Sequence, residues 1–171
     1  MNFQTIKRKW RTEFLDLPWK WILLTAGCCL FLGILTACSG ITMHPIHYCI
    51  PKRYPPLFLI VCIWFTEYFL IGIGFGIFLF TKRCRKDNHF YERCALFLCA
   101  LIVSYTWIPL ILRGGNPFMG ILTCLALCTV LIFLFLSLRF YTKIIAGSLI
   151  ISVCQTFYIL FFTLSLWLLN R

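Results

Sequence analysis

The chain has 171 residues, of which 61% are hydrophobic, 18% aromatic and only 12% charged, with a mean hydropathy of +0.91. A globular domain of this composition and size would not stay in solution, so a soluble enzyme or binding module is excluded. The net charge of +11 lies in short clusters between apolar stretches, a membrane-topology pattern rather than a nucleic-acid face, and no nucleic-acid partner is expected.

Residues 1–17 place Ile6, Trp10, Phe14 and Leu17 at helical spacing among Lys7, Arg8, Lys9 and Arg11, which predicts a segment lying along the cytoplasmic membrane surface. Asp16 ahead of Leu17-Pro18 reads as the cap of a first spanning helix. Residues 18–171 then form one domain with apolar runs at 21–41, 57–80, 94–112, 118–138 and 144–169. A hydrocarbon core about 30 Å thick is crossed by roughly 20 helical residues. Because a segment in lipid must satisfy its own backbone, each run predicts a transmembrane helix. The expected fold class is an all-α integral membrane protein, a five-transmembrane-helix bundle.

The first run contains Leu35-Thr36-Ala37-Cys38-Ser39, which has the form of a lipoprotein cleavage box. The long leader with acidic Glu13 and Asp16 argues against cleavage, so the first helix is expected to remain. The connection that follows, residues 42–56, is the long one and a candidate lid; it holds His44, His47, Tyr48 and the pair Pro55-Pro56. His44 and His47 are possible ligands for haem iron, but with no metal-ligand spacing elsewhere no metal site is expected.

The second run holds Glu67, the only carboxylate well inside a span. At that depth a carboxylate costs several kcal/mol unless it is protonated, paired or wetted, so Glu67 is a functional candidate. It is expected to border a pocket or to meet another helix, with Ser104 or Thr106 as candidate partners or, when protonated, a ligand as acceptor. No cation lies at matching depth, so a proton relay lacks its second member. Gly72-x-x-x-Gly76 allows a close helix approach, within the bundle or in a homodimer.

In the remainder of the chain, residues 113–117 (Arg-Gly-Gly-Asn-Pro) predict a tight turn. The connection between the last two runs is equally short, so helices three to five should be antiparallel neighbours. Residues 138–143 match the loose cholesterol-contact pattern, for which an interfacial anchor is the plainer reading. Nine of the eleven cysteines lie inside apolar runs as small hydrophobes, and Cys49 and Cys84 fall on opposite faces, so no disulfide is expected. Twelve of the Lys and Arg residues fall on one face of a five-span protein against four on the other. The positive-inside rule then puts the N-terminus in the cytoplasm and the C-terminus outside, in a plasma membrane of bacterial type.

Three blocks carry a family signature. Pro51, Pro55 and Pro56 are followed by Trp64, Tyr68 and Gly72, four residues apart; Ser104-Tyr105-Thr106-Trp107-Ile108-Pro109-Leu110 comes next; and Leu166-Trp167-Leu168-Leu169-Asn170 lies one residue before the end. In this order and spacing the chain resembles the TspO/MBR family of tryptophan-rich sensory proteins, which includes the translocator protein or peripheral benzodiazepine receptor. The resemblance implies a five-helix bundle with a ligand pocket under the first loop, binding tetrapyrroles such as protoporphyrin IX or haem and, in some members, sterols and drugs. The chain departs from the pattern at Gln155 and Arg53, where the family has pocket tryptophans, and at Thr163 and Ile151-Ser152. Some relatives are implicated in light-dependent porphyrin breakdown attributed to those tryptophans, so degradation is expected to be weak or absent here.

The residues themselves give a compatible reading. Trp64, Tyr68 and Ile71 share one stripe of helix two, and Trp107 offers a second flat ring at the same outer end. Flat rings suit a flat macrocycle held by stacking, although interhelical packing is the commoner fate of such residues. Arg53 is a candidate partner for a propionate. The candidate ligand-binding residues are Trp64, Tyr68, Trp107, Arg53, Tyr54, Glu67 and Gln155; none is expected to be catalytic, since no enzyme motif is present. The expected role is a sensor, scavenger or carrier with a tetrapyrrole as ligand rather than required cofactor, and the lipid bilayer and a hydrophobic small molecule as partners. The competing readings are a porphyrin-degrading enzyme and a small transporter or structural subunit that uses Glu67.

Overall fold

The computed structural model describes residues 17–41, 56–112 and 116–171. The surface segment with its Asp16 cap, and the loop with Arg53, Tyr54, His44, His47 and Cys49, lie outside the described residues. Five long helices account for most of the rest: α1 (Trp19–Ile41), α2 (Leu57–Phe80), α3 (Phe90–Leu112), α4 (Pro117–Leu138) and α5 (Lys143–Leu169). A single helical turn, Lys82–Arg85, follows α2, and there is no strand among the described residues. Each long helix is apolar and extended enough to cross a membrane.

Four of the five helices begin earlier than the apolar runs, while α2 begins with its run at Leu57. The difference is largest for α3, which starts at Phe90, one turn before the run at Cys94. Tyr91, Glu92 and Arg93 make that first turn polar, so hydropathy marks the part in hydrocarbon and misses the turn at the interface. Side-chain caps set the starts of α4 and α5. Asn116 Oδ1 accepts from the Met119 amide at 3.4 Å with Pro117 at the first helical position, and Thr142 Oγ1 accepts from the Ile145 amide at 3.2 Å.

Around the bundle, α1 packs on α2, α2 on α5, α5 on α4, α4 on α3 and α3 back on α1, while α2 and α3 also meet across the middle. The consecutive helices α3, α4 and α5 are thus neighbours in two successive pairs, as their short connections require. Large apolar side chains such as Phe31, Ile102, Phe133 and Phe161 point outward and are more than half exposed, the arrangement expected of a surface solvated by lipid.

Glycine lets the backbones of α1 and α2 approach closely. A Cβ on Gly72 would lie 2.7 Å from Ala26 Cα, and one on Gly76 would lie 3.0 Å from Ile22 Cα. The Gly72-x-x-x-Gly76 stripe is therefore used within the bundle, against α1.

At the basic end, Asp87 joins two connections. Its carboxylate accepts from the Tyr141 hydroxyl at 2.7 Å, from the His89 amide at 3.2 Å and from the Arg93 guanidinium, whose carbon lies 4.9 Å from the Tyr141 ring centre. Partial burial works to raise the pKa of this carboxyl, but the bonds from Tyr141 and His89 and the charge of Arg93 outweigh it and hold the pKa below its ordinary range. Tyr141, in the stretch that matches the cholesterol-contact pattern, thus ties the α4–α5 turn to the α2–α3 connection.

Candidate functional site

The buried centre of the bundle is aromatic on one side and polar on the other. On α2 the stripe Ile60, Trp64, Glu67, Tyr68 and Ile71 is wholly buried. Its positions at i, i+4, i+7, i+8 and i+11 trace the inner face of a helix. Trp64 and Trp107 lie with ring centres 4.7 Å apart and planes 32° from parallel, so the first and third sequence candidates meet directly. Tyr68 turns edge-on to Tyr105 at 4.9 Å.

One backbone oxygen organises the rings. Ser104 O accepts from Trp64 Nε1 at 2.9 Å and from the Tyr68 hydroxyl at 3.3 Å. It lies one residue before the Tyr105 carbonyl, which loses its helical donor to Pro109. Tyr105 in turn donates to Cys29 O at 2.8 Å, which fixes α3 to α1. On the far side, Trp107 Nε1 donates to Thr163 Oγ1 at 3.2 Å, and the Cys124 thiol of α4 lies beside both groups. Each indole and phenol that is buried has found a partner, as burial in an apolar interior requires.

Glu67 meets another helix, as expected, but not through the expected partners. It meets α5 rather than α3: Thr156 Oγ1 donates to Glu67 Oε1 at 3.0 Å and also lies 2.9 Å from Ser152 O. Ser104 and Thr106 bond instead to the carbonyls of Leu101 and Val103 in their own helix. That return bond is the habit of serine and threonine inside helices, and it removes them as donors to Glu67. Glu67 Oε2 and Ser152 Oγ are buried without a hydrogen-bond partner among the described residues.

Gln155 separates from the other candidates. It neighbours Thr156 in sequence but points 100° away around the helix. Its Nε2 donates to Thr66 Oγ1 at 2.8 Å, on the outer side of the α2–α5 seam. There it lines a groove of about 450 Å³ with Ile63, Ile150, Ile151, Cys154 and Tyr158. The candidates thus divide into an interior set (Trp64, Tyr68, Trp107, Glu67) and one groove residue, while Arg53 and Tyr54 lie outside the described residues.

The model of the TspO/MBR family matches residues 21–168. The chain belongs to the TspO/MBR family. A comparison with curated proteins found no match. As a TspO/MBR protein with five membrane-crossing helices, it is an integral membrane protein. The three signature blocks acquire physical roles in this light. Trp64 and Tyr68 converge on Ser104 O, and Gly72 admits α1. Trp107 bonds to α5. The terminal Asn170 donates to Leu166 O at 2.8 Å and closes the last turn of α5.

The sequence reading missed Thr156, Thr163 and Tyr105 as partners. A signal for the first two was present: Ser148, Ser152, Thr156 and Thr163 recur at helical spacing in an otherwise apolar helix, which marks a polar inner face. Nothing in the sequence distinguished Tyr105 from an ordinary interfacial tyrosine.

Proposed function

We propose that this TspO/MBR protein binds a hydrophobic planar ligand, a tetrapyrrole such as protoporphyrin IX or haem, and acts as a sensor, scavenger or carrier. The observation that carries the reading is the Trp64–Trp107 ring pair, held on one carbonyl and one threonine hydroxyl in a chain matched by the family model. Rings fixed by hydrogen bonds are pre-organised, so stacking on them costs little ordering entropy. At 4.7 Å the pair is closed. A plane inserted between two rings needs about twice the 3.5–4.0 Å van der Waals contact distance. The ligand therefore lies against one face of the pair, and entry requires the outer ends of α2 and α3 to part. Arg53 and Tyr54 are the proposed contacts at the rim, and the N-terminus is proposed to face the cytoplasm, following the charge bias.

The reading is tested by titrating protoporphyrin into purified protein and following tryptophan fluorescence. Saturable quenching at micromolar ligand supports it, and an absence of quenching overturns it.

A second reading is supported by Glu67, whose orphan oxygen sits in the middle of the bundle. In a transporter it would be the coupling residue. Loss of function in Glu67→Gln with unchanged porphyrin affinity would favour that reading over the first.

A further inference from the structure

A second pocket, of about 530 Å³, lies at the basic end, between the end of α2 and the start of α3. Leu79 and Phe80 from α2 and Phe90 and Tyr91 from α3 give it apolar walls, and Arg85 and Asn88 from the connection give it a polar rim. The walls belong to the last turn of one membrane span and the first turn of the next. Its depth is therefore that of the boundary between acyl chains and head groups. A cavity with hydrocarbon walls and a polar rim at this depth suits an amphiphile, and the charge of the rim decides which kind.

Arg85 is fixed in place. Its Nε donates to Leu79 O at 2.7 Å, and its guanidinium carbon lies 5.8 Å from the Phe80 ring centre. Its two terminal nitrogens have no partner among the described residues, and neither does the Asn88 side-chain amide. Asp87 also lines the pocket, but its carboxylate is engaged by Arg93, Tyr141 and the His89 amide. Glu92 is held 2.9 Å from His89. Lys82, Arg85 and Lys86 are consequently without an ion-pair partner among the described residues, and the rim is net positive. Basic pockets between spans at a membrane face are suited to anionic head groups.

We propose that this pocket holds one anionic phospholipid, its phosphate against Arg85 and Asn88 and its acyl chains along Phe80 and Phe90. The site is separate from the aromatic centre. It depends on the proposed orientation only for which leaflet supplies the lipid.

The test uses full-length, delipidated protein in detergent, offered equal amounts of phosphatidylglycerol and phosphatidylcholine with the same chains, and native mass spectrometry reads the bound lipid. The expected result is one phosphatidylglycerol retained per chain, at least about fivefold in preference, the scale of one basic residue near a membrane surface. Arg85→Gln should lower retention by about fivefold, and Lys86→Gln, which lies off the pocket, should lower it less. Asn88→Asp should match the Arg85→Gln loss. It leaves the Arg85–Leu79 bond intact, so it decides the matter even if Arg85→Gln unfolds the turn. Inorganic phosphate at millimolar concentration should not displace the lipid. Equal retention of the two lipids, equal losses in Lys86→Gln and Arg85→Gln, or displacement by inorganic phosphate would each overturn the proposal. The last two would indicate diffuse attraction and a free-anion site, respectively.

Discussion

Gly33 of α1 lies flat beneath the ring of Tyr68: a Cβ added there would come within 2.0 Å of Tyr68 Cδ2 and 2.3 Å of Cε2. The ring cannot swing aside easily, because its hydroxyl bonds to Ser104 O and it packs edge-on against Tyr105. Gly33→Ala should therefore destabilise the bundle by about 1–3 kcal/mol, the usual cost of overpacking. Gly27 in the same helix has open space around it, so Gly27→Ala should be neutral or stabilising by up to about 1 kcal/mol. Thermal unfolding of both variants in detergent checks the contrast, and equal melting temperatures would count against this packing.

Thr163 is the acceptor for the buried Trp107 indole. Thr163→Val keeps the shape but leaves that N–H unpaired, with an expected cost of about 1–3 kcal/mol. Thr163→Ser restores an acceptor and should recover most of the loss. Denaturation of the two variants, with the Trp107 emission maximum as a local probe, distinguishes a lost bond from a lost methyl group.

Glu67 has one bonded oxygen and one without a partner among the described residues. Glu67→Gln retains both the size and the contact with Thr156, so folding stability should change by less than about 1 kcal/mol. Glu67→Lys places a cation among groups with no carboxylate to receive it and should abolish folding. Expression level and melting temperature report both outcomes.

The Asp87 junction predicts an acid-sensitive end of the bundle. Its folded carboxyl titrates below the ordinary value of about 3.9. The stability it contributes is therefore complete above that value and is lost as pH falls through the lower folded one. Asp87→Asn should melt below the parent protein at neutral pH, and the two should converge as the carboxyl of the parent becomes protonated. Parallel melting curves across that range would contradict the assignment.

The bundle was legible in the sequence because lipid imposes a length and a backbone constraint that apolar runs report directly. The starts of the helices were less so, since the first turn of α3 is polar and carries Tyr91, Glu92 and Arg93. Trp64, Tyr68 and Trp107 were placed together correctly, because helical spacing and common depth fix which residues face inward at one end. The partners of Glu67 were not. Ser104 and Thr106 looked available, but each spends its hydroxyl on its own helix, and the actual contact lies 89 positions away in sequence on α5. Gln155 was grouped with the rings by motif position, whereas the rotation of α5 turns it to the outer groove.

The most direct measurement is the protoporphyrin dissociation constant of the purified protein compared with Trp64→Phe, Trp107→Phe and Trp21→Phe. Trp21 is mostly exposed on the lipid-facing surface and among the described residues stacks on Phe80, away from the interior rings. Micromolar binding is predicted for the parent protein, weakened about three- to tenfold by either interior substitution, the scale of one aromatic contact, and unchanged by Trp21→Phe. No saturable binding, or equal weakening by all three substitutions, would contradict the account.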